Sequence, residues 1–164
     1  MTPVDLVIAG GMARFCGRRF PCTVGHGGLT ERKREGDGAT PRGTHRIVGM
    51  LYRPARMARP TDWAVPIRPG DLWSDDPVDP DYNMMVRAPH GFGHEALRRA
   101  DPLYDLVILT DWNWPYAVKG RGSAIFLHHW RRPGYPTEGC VAFQPDDLVW
   151  IARRIRYETR LIVR

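Results

Sequence analysis

The residues in this chain best suited to chemistry are His128 and Cys140, twelve positions apart. A free thiol is mostly protonated near neutral pH, so a cysteine nucleophile needs a base or a cationic partner to raise its thiolate fraction. His128 ends the apolar run Ser123-Ala-Ile-Phe-Leu-His128, and a Pro/Gly loop able to fold back separates it from Cys140. Gly139 stands directly before the cysteine and permits close backbone approach. Amides at Gly139 and Cys140 are therefore candidates for an oxyanion hole around a tetrahedral intermediate. The chemistry would be acyl transfer through a thioester at Cys140.

These residues need strands and a helix to hold them. Asp5 to Ala9, Arg14 to Cys16 and Phe20 to Val24 are short apolar or alternating runs divided by Gly-Gly and Gly-Arg-Arg, as in meandering strands. Glu31 to Thr44 is charged and glycine-punctuated, a connector before a strand over His45 to Leu51. Prolines from Arg53 to Pro89 favour extended segments and loops, and Gly93 to Arg99 reads as a short helix. Asp105 to Thr110 and Ser123 to His128 read as buried strands. Pro145 opens a helix with Asp146 and Asp147 at its positive end, and Leu148, Ile151, Ala152 and Ile155 mark one apolar face. Arg153, Arg154 and Arg156 are expected late in that helix, and Arg160 to Val163 is a last strand. The fold class is mainly β with one main helix (α+β).

At 164 residues, 43% hydrophobic and 26% charged, the chain fits one domain, 1–164, able to bury its own core. The formal charge of +6 invites a nucleic-acid reading. The arginines run from Arg14 to Arg164 without a stripe and the only lysines are Lys33 and Lys119, so no nucleic-acid partner is expected. Cys16, Cys22 and Cys140 cannot all pair with one another, and a C-x5-C spacing suits no common zinc site. Cys16 and Cys22 read as packing thiols or an incidental disulfide. No run is long enough for a membrane span. The first residues carry Asp5 where a signal peptide would carry basic ones. The expected address is cytoplasmic if Met1 is the native start, and periplasmic if the sequence has been trimmed.

A resemblance sharpens the reading. Gly122-Ser-Ala-Ile-Phe-Leu-His128-His-Trp-Arg, followed by Pro136-Thr-Glu-Gly-Cys140-Val-Ala-Phe143, resembles the catalytic signature of the L,D-transpeptidase (YkuD-type) family. Gly36-Asp-Gly-Ala-Thr-Pro-Arg-Gly-Thr44, Asp75-Asp76 with Tyr82-Asn83, and Tyr104-Asp-Leu-Val-Ile108 extend the similarity over most of the chain after about Arg34. The resemblance implies a β-sandwich of mixed sheets, with His128 as base and Cys140 as nucleophile. It implies cleavage of the bond between diaminopimelate and D-alanine in a peptidoglycan stem tetrapeptide, no cofactor or metal, and labelling by carbapenem-type inhibitors. Water as acceptor makes an L,D-carboxypeptidase, the form favoured by the lack of an export signal; an amine makes an L,D-transpeptidase. Arg131 and Arg132 are candidates to bind substrate carboxylates.

The sequence departs from the family pattern at Thr137-Glu138-Gly139-Cys140, where many members carry Ser-His-Gly-Cys. Glu138 cannot supply the missing cation, and a carboxylate near the thiol tends to raise its pKa. Two rival readings remain at this stage. His128, His129 and Cys140 are all potential zinc ligands, although adjacent strand residues face opposite ways. An inert cysteine in a binding module for cell-wall or other polyanions is the second rival. The group orienting His128 is open, a backbone carbonyl being one candidate, and oligomeric state is not legible.

Overall fold

The computed structural model describes residues 2–164. Fourteen strands and one helix follow the order β1 (Leu6–Ala9), β2 (Met12–Phe15), β3 (Arg18–Thr23), β4 (Leu29–Thr30), β5 (Thr40–Pro41), β6 (Gly43–Tyr52), β7 (Val65–Pro66), β8 (Asp71–Ser74), β9 (Met85–Arg87), β10 (His94–Ala96), β11 (Leu106–Thr110), β12 (Phe126–His129), β13 (Val141–Phe143), α1 (Pro145–Ala152) and β14 (Arg160–Val163). The fold is mainly β with a single helix, and its sheets mix parallel and antiparallel pairs.

The first hairpin is dictated by its turn. Ala9 pairs with Met12, and the two residues between them, Gly10 and Gly11, both have positive φ. A two-residue turn of that hand matches the right-handed twist of the strands, and glycine takes it without steric penalty. Beyond it, β2 buries Ala13 and Phe15 and β3 buries Phe20 and Cys22, the period-two pattern of strands with one face in the core.

Strand pairing closes on itself in the order β11-β12-β13-β3-β2-β1-β14-β6, because β6 also pairs with β11. Two strands turn the corners. In β6, Gly43 to Arg46 pair with β14 while Ile47 to Tyr52 pair with β11; in β3, Arg18 to Pro21 pair with β2 while Cys22 and Thr23 pair with β13. The main core lies inside this closure, where Leu6, Ile8, Phe20, Ile47, Leu127, Val141 and Phe143 meet Leu148, Ile151 and Ala152 of α1. A second core, with Ile67, Trp73, Leu97, Tyr104, Val107, Phe126 and Cys140, fills the opposite face of β11 and β12. The three-stranded sheet β10-β8-β9 lends it Trp73, whose indole meets the Phe126 ring edge-on at 4.9 Å. Because β12 and β13 are covered on both faces, every residue in them is buried.

Four expectations are corrected. Gly93 to Arg99 is not a helix: His94–Ala96 forms β10, and Glu95 pairs with Trp73 of β8, so a nonlocal backbone partner overrides a weak local preference. The proline-rich span holds short regular strands, β7 to β9. The helix opens with Pro145 in its first turn but ends at Ala152, leaving Arg153 as its cap and no basic residue in its last turn. Ile155 stays buried beyond it. Cys16 occupies the β2–β3 turn rather than a strand, and all three cysteines are free.

Candidate functional site

Register brings His128 and Cys140 to one face. Leu127 pairs with Val141 and His128 with Ala142 in the parallel β12–β13 ladder, which sets Cys140, just before β13, beside Phe126. Leu127 and Val141 point into the main core, so by the period of two Phe126, His128, Cys140 and Ala142 share the opposite face. Ala142, directly across from His128, takes little of the space that the imidazole and the thiol need.

Each of the two groups has a fixed partner. His128 Nδ1 lies 2.7 Å from the carbonyl of His129, which can only accept, so Nδ1 carries the hydrogen and Nε2 is left as an acceptor. The group orienting His128 is thus a backbone carbonyl. Tyr104 packs edge-on against the imidazole at 5.3 Å. Burial pulls the His128 pKa down to about 4, against the pull of the His129 carbonyl, so the ring is neutral at pH 7. The Cys140 thiol donates to the carbonyl of Ala124 at 3.0 Å and lies 3.4 Å from the amide of Phe126, which donates to the sulfur. Burial and then the charge of Glu95 push the thiol up to about 12. In this state both members of the pair are neutral.

The carboxylate whose charge reaches the sulfur is therefore Glu95, not Glu138. The Glu138 side chain is 90% exposed and meets His26 Nε2 at 3.0 Å. Glu95, on β10, accepts a hydrogen bond from the Tyr104 hydroxyl at 2.6 Å. Its own pKa is raised by burial and by the neighbouring charges of Asp75 and Glu35, with the Tyr104 bond working against them. The cation missing from the Thr-Glu-Gly-Cys motif has a counterpart in Lys33, whose positive charge lowers the thiol pKa. Lys33 is buried, paired with Asp37, and donates to the Arg34 carbonyl at 2.8 Å.

The glycine-rich connector forms the floor. Thr40 Oγ1 donates to the Gly139 carbonyl at 2.8 Å and accepts the Gly25 amide at 2.9 Å. A side chain at Gly25 would stand 2.0 Å from the Gly38 carbonyl and 2.9 Å from Gly139 Cα, so three backbones meet where only glycine fits. The Gly139 amide donates to Thr137 Oγ1 at 3.1 Å; of the two amides expected at an oxyanion hole, that one already has a partner.

Arg131 and Arg132 lie on the exposed loop after β12, where both guanidiniums cover the Tyr135 ring, at 5.3 and 4.7 Å. The arginine whose charge reaches His128 is Arg99, which stacks on Tyr104 at 5.2 Å and forks onto Asp101. His128 and His129 part as strand geometry requires: His129 Nδ1 faces the Pro102 carbonyl at 3.1 Å. Among the described residues, no three His, Cys, Asp or Glu side chains gather as a metal site. No helix among them is long and apolar enough to cross a membrane.

No curated protein matches the sequence. Among solved structures the chain is similar to an L,D-transpeptidase from Mycobacterium smegmatis, at 15% identity and a TM-score of 0.43. That likeness covers 93% of this chain and 52% of the other, so the chain spans about half the length of that structure. Residues 17–163 match the family described as the L,D-transpeptidase catalytic domain, YkuD. With nearly its whole length inside that match, the chain belongs to the L,D-transpeptidase catalytic domain family.

Proposed function

We propose that the chain is a single cysteine-dependent catalytic domain acting on peptidoglycan stem peptides, with Cys140 as nucleophile and His128 as general base, and that its main reaction is L,D-carboxypeptidase hydrolysis. The observation that carries this reading is the His128 Nδ1 hydrogen bond to the His129 carbonyl, on the sheet face that Cys140 shares. It leaves Nε2 able to accept a proton.

The thiol leaves the Ala124 carbonyl for Nε2, and the sulfur attacks the carbonyl carbon between diaminopimelate and D-alanine as its proton passes to the imidazole. Amides around Gly139 and Cys140 hold the oxyanion, which requires the Gly139 amide to exchange its Thr137 partner for substrate. The imidazolium gives its proton to the leaving D-alanine nitrogen, and a thioester remains. Neutral His128 then takes a proton from water, which attacks the thioester and releases tripeptide while the thiol is restored. Hydrolysis is favoured by the short Trp130–Gly139 segment, which leaves little chain to build a pocket for a second peptide.

One observation favours the alternative of transpeptidation. The charges of Glu35, Asp75 and Glu95 act on one another and that of Glu95 reaches the thiol, a setting that attracts an ammonium acceptor. One experiment separates the two. Wild type and Cys140→Ala are incubated with a diaminopimelate tetrapeptide, with and without an added D-amino acid, and products are read by mass spectrometry. Free D-alanine with tripeptide marks hydrolysis, and an exchanged terminus marks transpeptidation. Carbapenem mass on Cys140 would support the same nucleophile. The absence of any Cys140-dependent product would overturn both readings.

A further inference from the structure

Both hydrogen-bond partners of the Cys140 sulfur belong to one short segment, Ala124 to Phe126, which enters β12. That segment starts in an unusual conformation. Ala124 has a φ of 51°, in the left-handed region, where a Cβ is penalised by about 1 kcal/mol or more. A non-glycine residue stays there only when its surroundings hold it, and what holds it is Asn83.

The Asn83 side chain is buried, with 2% of its surface exposed, and every bond it can make is made. Its Oδ1 accepts the Ala124 amide at 3.0 Å and the Trp73 indole N–H at 3.0 Å. Its Nδ2 donates to the carbonyls of Trp112 at 3.1 Å and Asn113 at 2.8 Å. Asn113 extends the frame, donating to the carbonyls of Val118 and Gly122 at 3.0 and 2.9 Å. One carboxamide thus ties β8, the turn after β11 and the approach to β12 together around a single strained alanine. Released to an ordinary φ, Ala124 would swing its carbonyl off the thiol and misdirect the Phe126 amide.

We infer that Asn83 is a positioning residue for the nucleophile, acting through Ala124 to aim the Ala124 carbonyl and the Phe126 amide at the Cys140 sulfur. The inference takes its functional meaning from the reading of Cys140 as nucleophile, but the sulfur can be interrogated without any peptidoglycan substrate.

The test is the rate of Cys140 alkylation by iodoacetamide from pH 7 to 10, resolved by peptide mass spectrometry, in full-length wild type, Asn83→Ala, Ala124→Gly and the double variant. Asn83→Ala should lower the rate roughly fivefold at each pH, because the Phe126 donation lost from the thiolate is a stronger bond than the Ala124 acceptor lost from the neutral thiol. Ala124→Gly alone should stay near wild type. The double variant should recover most of the loss, because glycine takes a positive φ without being held. General loosening predicts the reverse, since a more flexible residue 124 would add to the damage. If Asn83→Ala does not fold, Asn83→Gly takes the φ of 61° at this position without penalty and still removes the acceptor oxygen and both donations, and the same loss and glycine rescue are read on it. A wild-type rate in a folded Asn83 variant, an increased rate, or no rescue by Ala124→Gly would overturn the inference. Activity on the tetrapeptide is a separate readout, so absence of peptidase activity would sink the proposed function and leave this result standing.

Discussion

The thiol of Cys140 donates to the carbonyl of Ala124, 3.0 Å away, and has no hydrogen bond to the imidazole of His128 among the described residues. With the sulfur buried and Glu95 nearby, the free protein holds a thiol rather than a thiolate–imidazolium pair. The sequence invites the opposite expectation, an activated cysteine with a lowered pKa. What the sequence does not disclose is that the sulfur is covered by the second core and feels the charge of Glu95 on β10.

An ordering of thiol reactivity follows. Cys16 is exposed in a turn, whereas Cys22 and Cys140 are buried and both pushed up to about 12, chiefly by burial. Iodoacetamide at pH 7.5 should modify Cys16 first, with Cys140 slower by roughly tenfold or more because little of it is thiolate. Peptide-resolved labelling checks this. Cys140 reacting faster than Cys16 would mean that the ion pair exists in the free protein after all.

Removing the Glu95 charge should act in the other direction. Glu95→Gln keeps an oxygen for the Tyr104 hydroxyl, which donates to it at 2.6 Å, but removes the negative charge that raises the thiol pKa. Alkylation of Cys140 at pH 8 should rise by about three- to tenfold, the effect of a pKa falling by up to about one unit. An unchanged rate would show that the carboxylate is screened from the sulfur.

Local pattern accounts for what was legible. Arg160 to Val163 is the last strand as read, Leu106–Thr110 and Phe126–His129 fall within a few residues of the expected runs, and Pro145 opens the helix. These rest on short-range periodicity and on proline chemistry that a single segment carries. The family motif likewise places His128 and Cys140 on one sheet face. Asn83 and Ala124 are 41 positions apart, and Lys33 sits in a connector whose composition reads only as a turn. Glu95 was hidden by a helix reading of Gly93 to Arg99 that pairing with β8 overrules. Contacts of that kind depend on the closure of the whole sheet, and no local period encodes them.

The glycine floor gives a sharp mutational contrast. At Gly25 an added Cβ would lie 2.0 Å from the Gly38 carbonyl, against backbone that cannot rotate away. At Gly91 it would meet nothing within 4 Å, and no positive φ stands in the way. Gly25→Ala should therefore cost several kcal/mol, on the order of 3 by analogy with overpacking, and displace the Gly139–Cys140 backbone. Gly91→Ala should stay within about 0.5 kcal/mol of wild type. Urea unfolding of both variants decides, and equal stabilities would contradict the packing of Gly25, Gly38 and Gly139.

The depressed His128 pKa makes stability depend on pH. The unfolded chain binds a proton on this imidazole near pH 6.5, while the folded protein does so only near pH 4. Protons therefore bind the unfolded state first, and stability falls as the pH drops through that window, by about 3 kcal/mol for His128 alone. His45 and His129 are lowered by burial as well and add to the slope in the same direction. Urea unfolding at pH 7.5, 6, 5 and 4.5 should show a progressive loss in the wild type. His128→Gln, which cannot gain a proton, should show a shallower one, with residual slope from the other two histidines and from carboxylates. Parallel curves for the two proteins would mean that His128 is protonated as readily in the folded protein as in the unfolded chain, and that burial does not depress its pKa.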